Sequence, residues 1–157
     1  MEKLEHGGFR IIGMKLTTNN HEAMNDKTIE AAWGNFMSNA LYNEIPGKVS
    51  NEIYGLYCNF DAEFTSDSMN KNYDLIIGCK VSNDTVAPAG MVEIDVPVAR
   101  YARYDAKWAM PDAVISVWEQ IWGDSTLPKN YTFDYEVYGE KAQNGDQSEA
   151  EVFVGIN

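Results

Sequence analysis

Two carboxylates inside an aromatic run near the C-terminus are the side chains best suited to chemistry. Asp134 and Glu136 stand two positions apart in the segment NYTFDYEVYGE, residues 130–140. On a strand, that spacing puts both on one face. A carboxylate held among aromatic rings can serve as a general base, with a tyrosine as proton donor, or as a fixed charge for a cation. The same alternation is also typical of a half-buried strand whose Glu136 faces water.

Composition and charge argue against several classes of partner. The 157 residues are 45% hydrophobic and 12% aromatic, which indicates a folded chain, and the formal net charge is −12. A field of that sign repels phosphate backbones, so we expect no direct binding to nucleic acid. The N-terminus lacks a signal-peptide pattern, and no apolar run approaches the roughly 18 residues of a membrane span. We therefore expect a cytoplasmic protein with no membrane contact.

The few potential metal ligands indicate neither a metal site nor a cofactor. Cys58 and Cys79 lie 21 positions apart in apolar, strand-like runs, which favours buried free thiols in a reducing compartment. His6 and His21 are the only histidines, and neither has metal-ligand spacing. We also find no nucleophile with an adjacent base and no phosphate-cradling loop.

Hydrophobic periodicity predicts two halves with the same order of elements. Strands are expected at 7–17, 51–60, 73–82, 91–105, 130–139 and 150–157, and helices at 25–42 and 110–124. Pro97 should break the fourth strand or place it at an edge. The breaker-rich segment NDTVAPAG, residues 83–90, joins the halves.

Matching short motifs support an internal repeat. AWGNFM and VWEQIW place Trp33 and Trp118 85 positions apart, and YGLY and YEVY are 81 positions apart. DLIIG and EVFVG, 77 positions apart, complete the series in the same order. In this alignment Gly55 corresponds to Glu136. If the halves pair around an approximate two-fold axis, a carboxylate on one side would face an empty space on the other.

These motifs together resemble a known family. AAWGNF, IYGLY, YDLIIGCKV, VEIDVPVARYARYDAK, VWEQIWGDSTLP and YTFDYEVYG are similar to the effector-binding domains of bacterial multidrug-responsive transcription regulators, also called gyrase-inhibitor-like domains. The resemblance extends from about Phe9 to Asn157 and is closest to stand-alone members, including small ones on mobile gene cassettes. The polar YARYDAK departs from the family's plainer apolar strand.

The resemblance implies an α+β fold, in which two strand-helix-strand-strand units share one curved antiparallel sheet with a groove between two main helices. Residues 1–157 would form one effector-binding domain with pseudo-repeats 7–82 and 91–157. The groove would bind small organic cations or amphipathic drugs, and Glu136 matches the family's glutamate. Other implied groove residues are Tyr138, Tyr57, Ile53, Gly55, Trp33, Trp118 and Phe153.

The residues leave other interpretations open. Relatives that hydrolyse small reactive compounds keep a hydrolase in the same groove as an alternative to a non-catalytic binding protein. A stand-alone acidic domain could also dock on a protein partner, either a gyrase or a separate regulator. Trp33 and Trp118 suit a plain core as well as a ligand wall, and the sequence does not decide between monomer and homodimer.

Overall fold

One eight-stranded antiparallel sheet with helices on one face makes up the structure, which is a computed structural model describing all 157 residues. The strands are β1 (Glu2–His6), β2 (Phe9–Thr18), β3 (Ile53–Cys58), β4 (Tyr73–Val81), β5 (Val92–Val96), β6 (Ala99–Lys107), β7 (Lys129–Tyr138) and β8 (Glu149–Ile156). The helices are α1 (Asn20–Asn25), α2 (Thr28–Ser38) and α3 (Asp112–Gly123), and short 3₁₀ turns cover Leu41–Glu44, Glu140–Gln143 and Gly145–Gln147. None of the helices is long and apolar enough to cross a bilayer.

The order of the strands is symmetric about the centre of the sheet. It runs β1-β6-β8-β7-β3-β4-β2-β5. Exchanging β2, β3, β4 and β5 for β6, β7, β8 and β1 leaves this order unchanged when it is read from the other edge. The predicted duplicated unit is therefore present, with β2, α2, β3 and β4 in one half and β6, α3, β7 and β8 in the other.

The two halves are linked where β1 continues into β2 and the antiparallel β5 continues into β6, with a bend in both. His6 pairs with Ala99 on one side of the bend, and Phe9 pairs with Val96 in the same register on the other. At the bend, Gly7 has a φ of +106°, and a Cβ atom there would collide with the Pro97 carbonyl oxygen. Glycine meets both requirements, because it lacks a Cβ atom and adopts positive φ freely.

The sheet has a helix face and an opposite face, which we call the inner face. On the inner face a cluster of 11 buried residues, five of them aromatic, fills the core, and the rings of Phe9 in β2 and Tyr135 in β7 lie 5.6 Å apart. Two other strands separate β2 from β7, so the sheet must curl toward this face for the rings to meet.

The two main helices pack on neighbouring regions of the helix face. Phe36 is the buried residue of α2, which covers β2 and β4, whereas α3 buries Val114, Val117 and Ile121 against β6 and β8. The spacing of three and four residues along α3 forms the apolar stripe expected of an amphipathic helix. The central strands β3 and β7 lie between these two packed regions.

Most predicted elements are confirmed, with shifted boundaries. The chain breaks after Val96, as Pro97 predicts, so the expected strand 91–105 is divided into β5 and β6. The predicted helix 25–42 is shorter and is preceded by α1, whose first turn is capped by the Asn19 side chain. Strand β1 was not predicted, because EKLEH is charged and mostly exposed and pairs with β6 through its backbone.

Candidate functional site

Glu136 lies at the centre of the sheet on the helix face. In the β3–β7 ladder it is directly opposite Gly55, with Ile53 opposite Tyr138 and Tyr57 opposite Asp134. The glutamate is only 3% exposed. The interpretation of Glu136 as the solvent-facing residue of a half-buried strand is therefore wrong.

Three side chains from three elements donate hydrogen bonds to the Glu136 carboxylate. Tyr138 Oη donates to Oε1 at 2.8 Å, while Trp118 Nε1 and Tyr57 Oη donate to Oε2 at 2.6 and 3.3 Å. A carboxylate has about four acceptor positions, so three donors nearly satisfy it within the protein. This arrangement allows a carboxyl group to be buried without a permanent cationic partner.

Two pairs of rings cover the carboxylate from opposite sides. The Trp33 and Tyr138 rings pack edge to face with centroids 5.2 Å apart at 76°, and the Trp118 and Tyr57 rings do so at 5.7 Å and 77°. All four rings are only partly buried, although Glu136 beneath them is almost inaccessible. The carboxylate thus lies beneath these rings with almost no surface of its own in contact with solvent.

Burial dominates the acid–base behaviour of this group. Desolvation raises the pKa of Glu136 above its ordinary value, and the hydrogen bonds from Tyr138, Trp118 and Tyr57 oppose that rise. The pKa values of Tyr57 and Tyr138 are also raised, first by burial and then by the adjacent carboxylate. Both tyrosines are therefore neutral hydrogen-bond donors at neutral pH.

Gly55 leaves the space that the carboxylate and one ring occupy. A Cβ atom at this position would lie 3.0 Å from Trp33 Cζ2 and 3.2 Å from Glu136 Oε1. The structure thus brings Gly55 together with six other predicted site residues: Glu136, Tyr138, Tyr57, Trp33, Trp118 and Ile53.

Phe153 does not belong to this group. It pairs with Tyr135 across β7 and β8, and its ring stacks on that of Tyr135 with centroids 4.7 Å apart. Since Tyr135 alternates with Glu136 along β7, Phe153 points to the inner face. This placement corrects the assignment of Phe153 to the groove.

Asp134, the second carboxylate of the pair, is also buried and is 6% exposed. Its Oδ1 accepts a hydrogen bond of 2.9 Å from the backbone N–H of Gly155, next to a register irregularity between Lys129 and Asp134. Burial raises its pKa to about 7, against the opposing effects of that hydrogen bond and of Lys129. The contacts of Asp134 thus tie it to the irregular start of the β7–β8 ladder.

A second aromatic cluster next to the site was not predicted. The Tyr73 ring packs edge to face on that of Tyr57, with centroids 5.8 Å apart. It also packs against Phe60 and Phe64, which in turn contact Tyr131. Phe60 and Phe64 belong to the segment between β3 and β4, which the Ser66 hydroxyl ties to Tyr131 Oη at 2.8 Å. The sequence signal for this cluster was the presence of Phe60 and Phe64 in the mostly polar segment 59–72.

A separate cavity of about 540 Å³ lies on the inner side, and polar residues make up most of its lining. Its cations are paired, with Arg103 bonded to Glu151 at 2.5 Å and Lys141 lying 3.4 Å from Glu149. Only two of its twelve lining residues, Val137 and Ala150, are hydrophobic, so this cavity does not fit the apolar body of an amphipathic guest.

Comparisons with known structures agree with this fold. An integron cassette protein from the mobile metagenome of Vibrio cholerae is 26% identical, with a TM-score of 0.75 over 99% of this chain and 95% of its own. A putative transcription regulation protein from Staphylococcus aureus is 14% identical, with a TM-score of 0.72 over 99% of this chain and 97% of its own. SAV2435, solved bound to tetraphenylphosphonium, is 14% identical, with a TM-score of 0.75 over 99% of this chain and 93% of its own. The last two show the fold alone.

Sequence comparison gives the family. No curated protein sequence matches the chain. The model of a family described as "Cass2: Integron-associated effector binding protein", however, matches residues 4–156, almost the whole length. The chain belongs to the Cass2 family of integron-associated effector binding proteins.

Proposed function

We propose that this protein binds small, amphipathic organic cations in the groove above Glu136, as a ligand sensor or a sequestering protein. The observation that carries the proposal is a carboxylate 3% exposed beneath four aromatic rings. We further propose that residues 1–157 act as one effector-binding domain, since the central β3–β7 ladder contributes to the site from both halves.

The electrostatics of the site favour a weakly hydrated cation. Burial raises the pKa of Glu136, so a positive guest that enters the groove stabilises the charged form. A large organic cation loses little hydration on entry, and the ring faces add cation–π attraction of roughly 0.5–2 kcal/mol each. An anion gains none of these terms, and the net charge of −12 repels it.

Apolar contact supplies the less selective part of the affinity. Burial of apolar ligand surface contributes about 25 cal/mol per Å² and does not depend on any one hydrogen-bond pattern. Trp33 forms no side-chain hydrogen bond and Ile53 offers only aliphatic surface, so this side of the groove adapts to varied shapes. Broad ligand choice with a preference for positive charge follows from the two terms together.

Two structural relatives support the same class of ligand and role. SAV2435 was solved with tetraphenylphosphonium, a lipophilic cation, and we extend that ligand class to this chain. The C-terminal domain of EcmrR shares the fold, with a TM-score of 0.58 at 11% identity, and EcmrR itself was solved in a complex with DNA. By analogy with EcmrR, we propose that ligand binding to this chain is coupled to a separate DNA-binding regulator.

Two probes of the same shape and opposite charge test the proposal. Tetraphenylphosphonium should bind the protein, and tetraphenylborate should bind far more weakly. Glu136→Gln keeps the shape of the side chain and removes its charge, so we expect it to weaken tetraphenylphosphonium binding by about tenfold, or about 1.4 kcal/mol. Calorimetric titration measures both affinities.

Glu119→Gln is the matched control, because Glu119 is an exposed carboxylate on α3 and its change alters the net charge equally. Equal affinities of Glu136→Gln and the wild type for the cation would refute the proposal. A separate incubation of the protein with reactive esters, read by mass spectrometry, tests the hydrolase alternative. We expect the esters to be recovered unchanged, whereas their hydrolysis by the protein would support a hydrolase.

A further inference from the structure

The repeat and the strand register place one approximate two-fold axis at Glu136. The repeat relates each residue of β3 to the residue 81 positions later in β7, so Gly55 corresponds to Glu136. The β3–β7 ladder also pairs Gly55 directly with Glu136. When a residue pairs with its own repeat equivalent, the axis that relates the strands passes between the two.

The walls of the groove obey the same symmetry. The axis exchanges Tyr57 with Tyr138 and Trp33 with Trp118, and therefore exchanges the two ring pairs. Those pairs have nearly the same geometry, with centroid separations of 5.2 and 5.7 Å and interplanar angles of 76° and 77°. Equivalent aromatic surface thus lies on both sides of the carboxylate.

The charge itself breaks the symmetry, because the axis carries one carboxylate and one glycine. The glycine provides room without a second charge, and a Cβ atom at Gly55 would lie 3.2 Å from Glu136 Oε1. The site therefore has one anionic point on its axis, between two equivalent walls.

We propose that the preferred ligands carry their positive charge at the centre, with an aromatic arm on each side, and not at one end of an elongated apolar body. This inference rests on the proposed function. A centrally charged cation covers both ring pairs while its charge stays over Glu136. An end-charged cation in contact with the same carboxylate extends along one wall and leaves the other pair without a partner.

Two monovalent aromatic cations, one with four phenyl rings and one with three, distinguish these geometries by the position of the charge. Tetraphenylphosphonium has a central charge, and p-terphenyl with one terminal trimethylammonium group has an end charge. We expect the wild type to bind the first at least about tenfold more tightly. Trp33→Leu and Trp118→Leu should each weaken tetraphenylphosphonium binding by about fivefold. The lost ring contact should affect terphenyl binding in only one of the two variants, so the ratio of the two affinities should change in one variant alone.

The ratio of the affinities for the two probes separates the effect of the ring contacts from the effect of the Glu136 charge. Trp118→Leu also removes the hydrogen bond from Nε1 to Glu136, and that loss affects the two monovalent cations alike. Trp33→Phe and Trp118→Phe serve as substitutes if a leucine variant does not fold, as judged by circular dichroism and the unfolding midpoint.

The outcomes separate this inference from the proposed function. If tetraphenylphosphonium loses affinity in only one of the two tryptophan variants, or if both probes respond equally to both variants, the central-charge inference is overturned while cation binding stands. If neither probe binds, or if Glu136→Gln changes neither affinity, the proposed function fails as well.

Discussion

Gly55 and Glu136 face each other across the central ladder, and the missing side chain of one makes room for the carboxylate of the other. A Cβ atom at Gly55 would approach Glu136 Oε1 to 3.2 Å and Trp33 Cζ2 to 3.0 Å. Both distances are shorter than ordinary van der Waals contact, so a side chain at position 55 would require Trp33 and Glu136 to shift by a few tenths of an ångström. Space and charge in this site are therefore set by one residue pair.

Gly55→Ala should reduce ligand binding more than it reduces stability. Alanine suits a strand interior better than glycine by roughly 0.5–1 kcal/mol, which offsets part of the crowding, so we expect the free energy of unfolding to change by less than about 1 kcal/mol. The methyl group displaces the Trp33 ring and Glu136, and we expect about tenfold weaker tetraphenylphosphonium binding. Urea denaturation and calorimetric titration measure the two effects.

Gly34→Ala is the control for this substitution. Gly34 lies in α2 next to Trp33 and has open space around its Cα, so alanine should stabilise the helix by about 1 kcal/mol without touching the site. An unchanged ligand affinity for Gly55→Ala, with the fold intact, would show that the space beside Glu136 is not part of the binding site.

Cation binding should strengthen as pH rises. Because burial raises the pKa of Glu136, its carboxyl group stays neutral to a higher pH than that of an ordinary glutamate, and a cation must displace that proton. Affinity should therefore increase as pH rises through the pKa of the ligand-free protein and level off above it. Titrations with tetraphenylphosphonium between pH 4.5 and 8, chosen as roughly the range in which perturbed carboxyl groups titrate, would measure this profile.

The contribution of Glu136 is obtained by comparison with Glu136→Gln, in which the profile should flatten. Asp134, whose pKa is about 7, also lies on the helix face of β7, so Asp134→Asn provides a second comparison. If the slope survives in Glu136→Gln and disappears in Asp134→Asn, then Asp134 and not Glu136 is the titrating anchor.

Asp134 should make the fold less stable at neutral pH than at mildly acidic pH. Its pKa rises from an ordinary value of 3.8 to about 7 in the folded state, so the native protein holds a proton that the unfolded chain has already released. Stability falls with pH wherever the native state binds more protons, which here covers about pH 4 to 7. The contribution of this group is on the order of 4 kcal/mol, at 1.36 kcal/mol per unit of pKa shift.

Asp134→Asn should remove this pH dependence while keeping the acceptor oxygen for the Gly155 N–H. We expect the variant to gain stability relative to the wild type as pH rises from 4 to 7, as measured by chemical denaturation at each pH. Glu119→Gln, an exposed site on α3, corrects for the change in net charge. A constant difference between Asp134→Asn and the wild type across that range would mean that Asp134 stays ionised in the folded protein.

The sequence predicted the parts of the site that depend on local pattern and on the repeat. Alternation put Glu136 and Tyr138 on one face of β7, and the alignment of the halves put Gly55 opposite Glu136, as the register confirms. The assignment of Phe153 was wrong because β8 is buried on both faces, and such a strand has no polar alternation from which to read its orientation.

The hydrogen bonds to Glu136 could not be predicted in the same way. The indole N–H of Trp118 reaches the carboxylate only when α3 lies at a particular position along the strands. Apolar periodicity predicts which face of the helix is buried but does not specify that position. The aromatic cluster around Tyr73 depends on the path of the segment between β3 and β4, where Phe60 and Phe64 lie outside any helix or strand. Long-range packing of this kind has no periodic signature in the chain.

The hydrogen bond from Trp118 to Glu136 should control the pH at which the cation binds. Nε1 lies 2.6 Å from Oε2, and a donor to a carboxylate stabilises its charged form by about 1.5–3 kcal/mol. Trp118→Phe keeps a ring at this position and removes the donor, so the pKa of Glu136 should rise further. The midpoint of the binding profile should then shift upward by at least about one pH unit.

Trp33→Phe is the matched control, because Trp33 occupies the equivalent position in the other half and its indole donates no hydrogen bond to Glu136. Its binding midpoint should stay at the wild-type pH even if its affinity falls. Equal shifts in the two phenylalanine variants would show that loss of ring area, and not loss of the Nε1–H donor, sets the titration of the carboxylate.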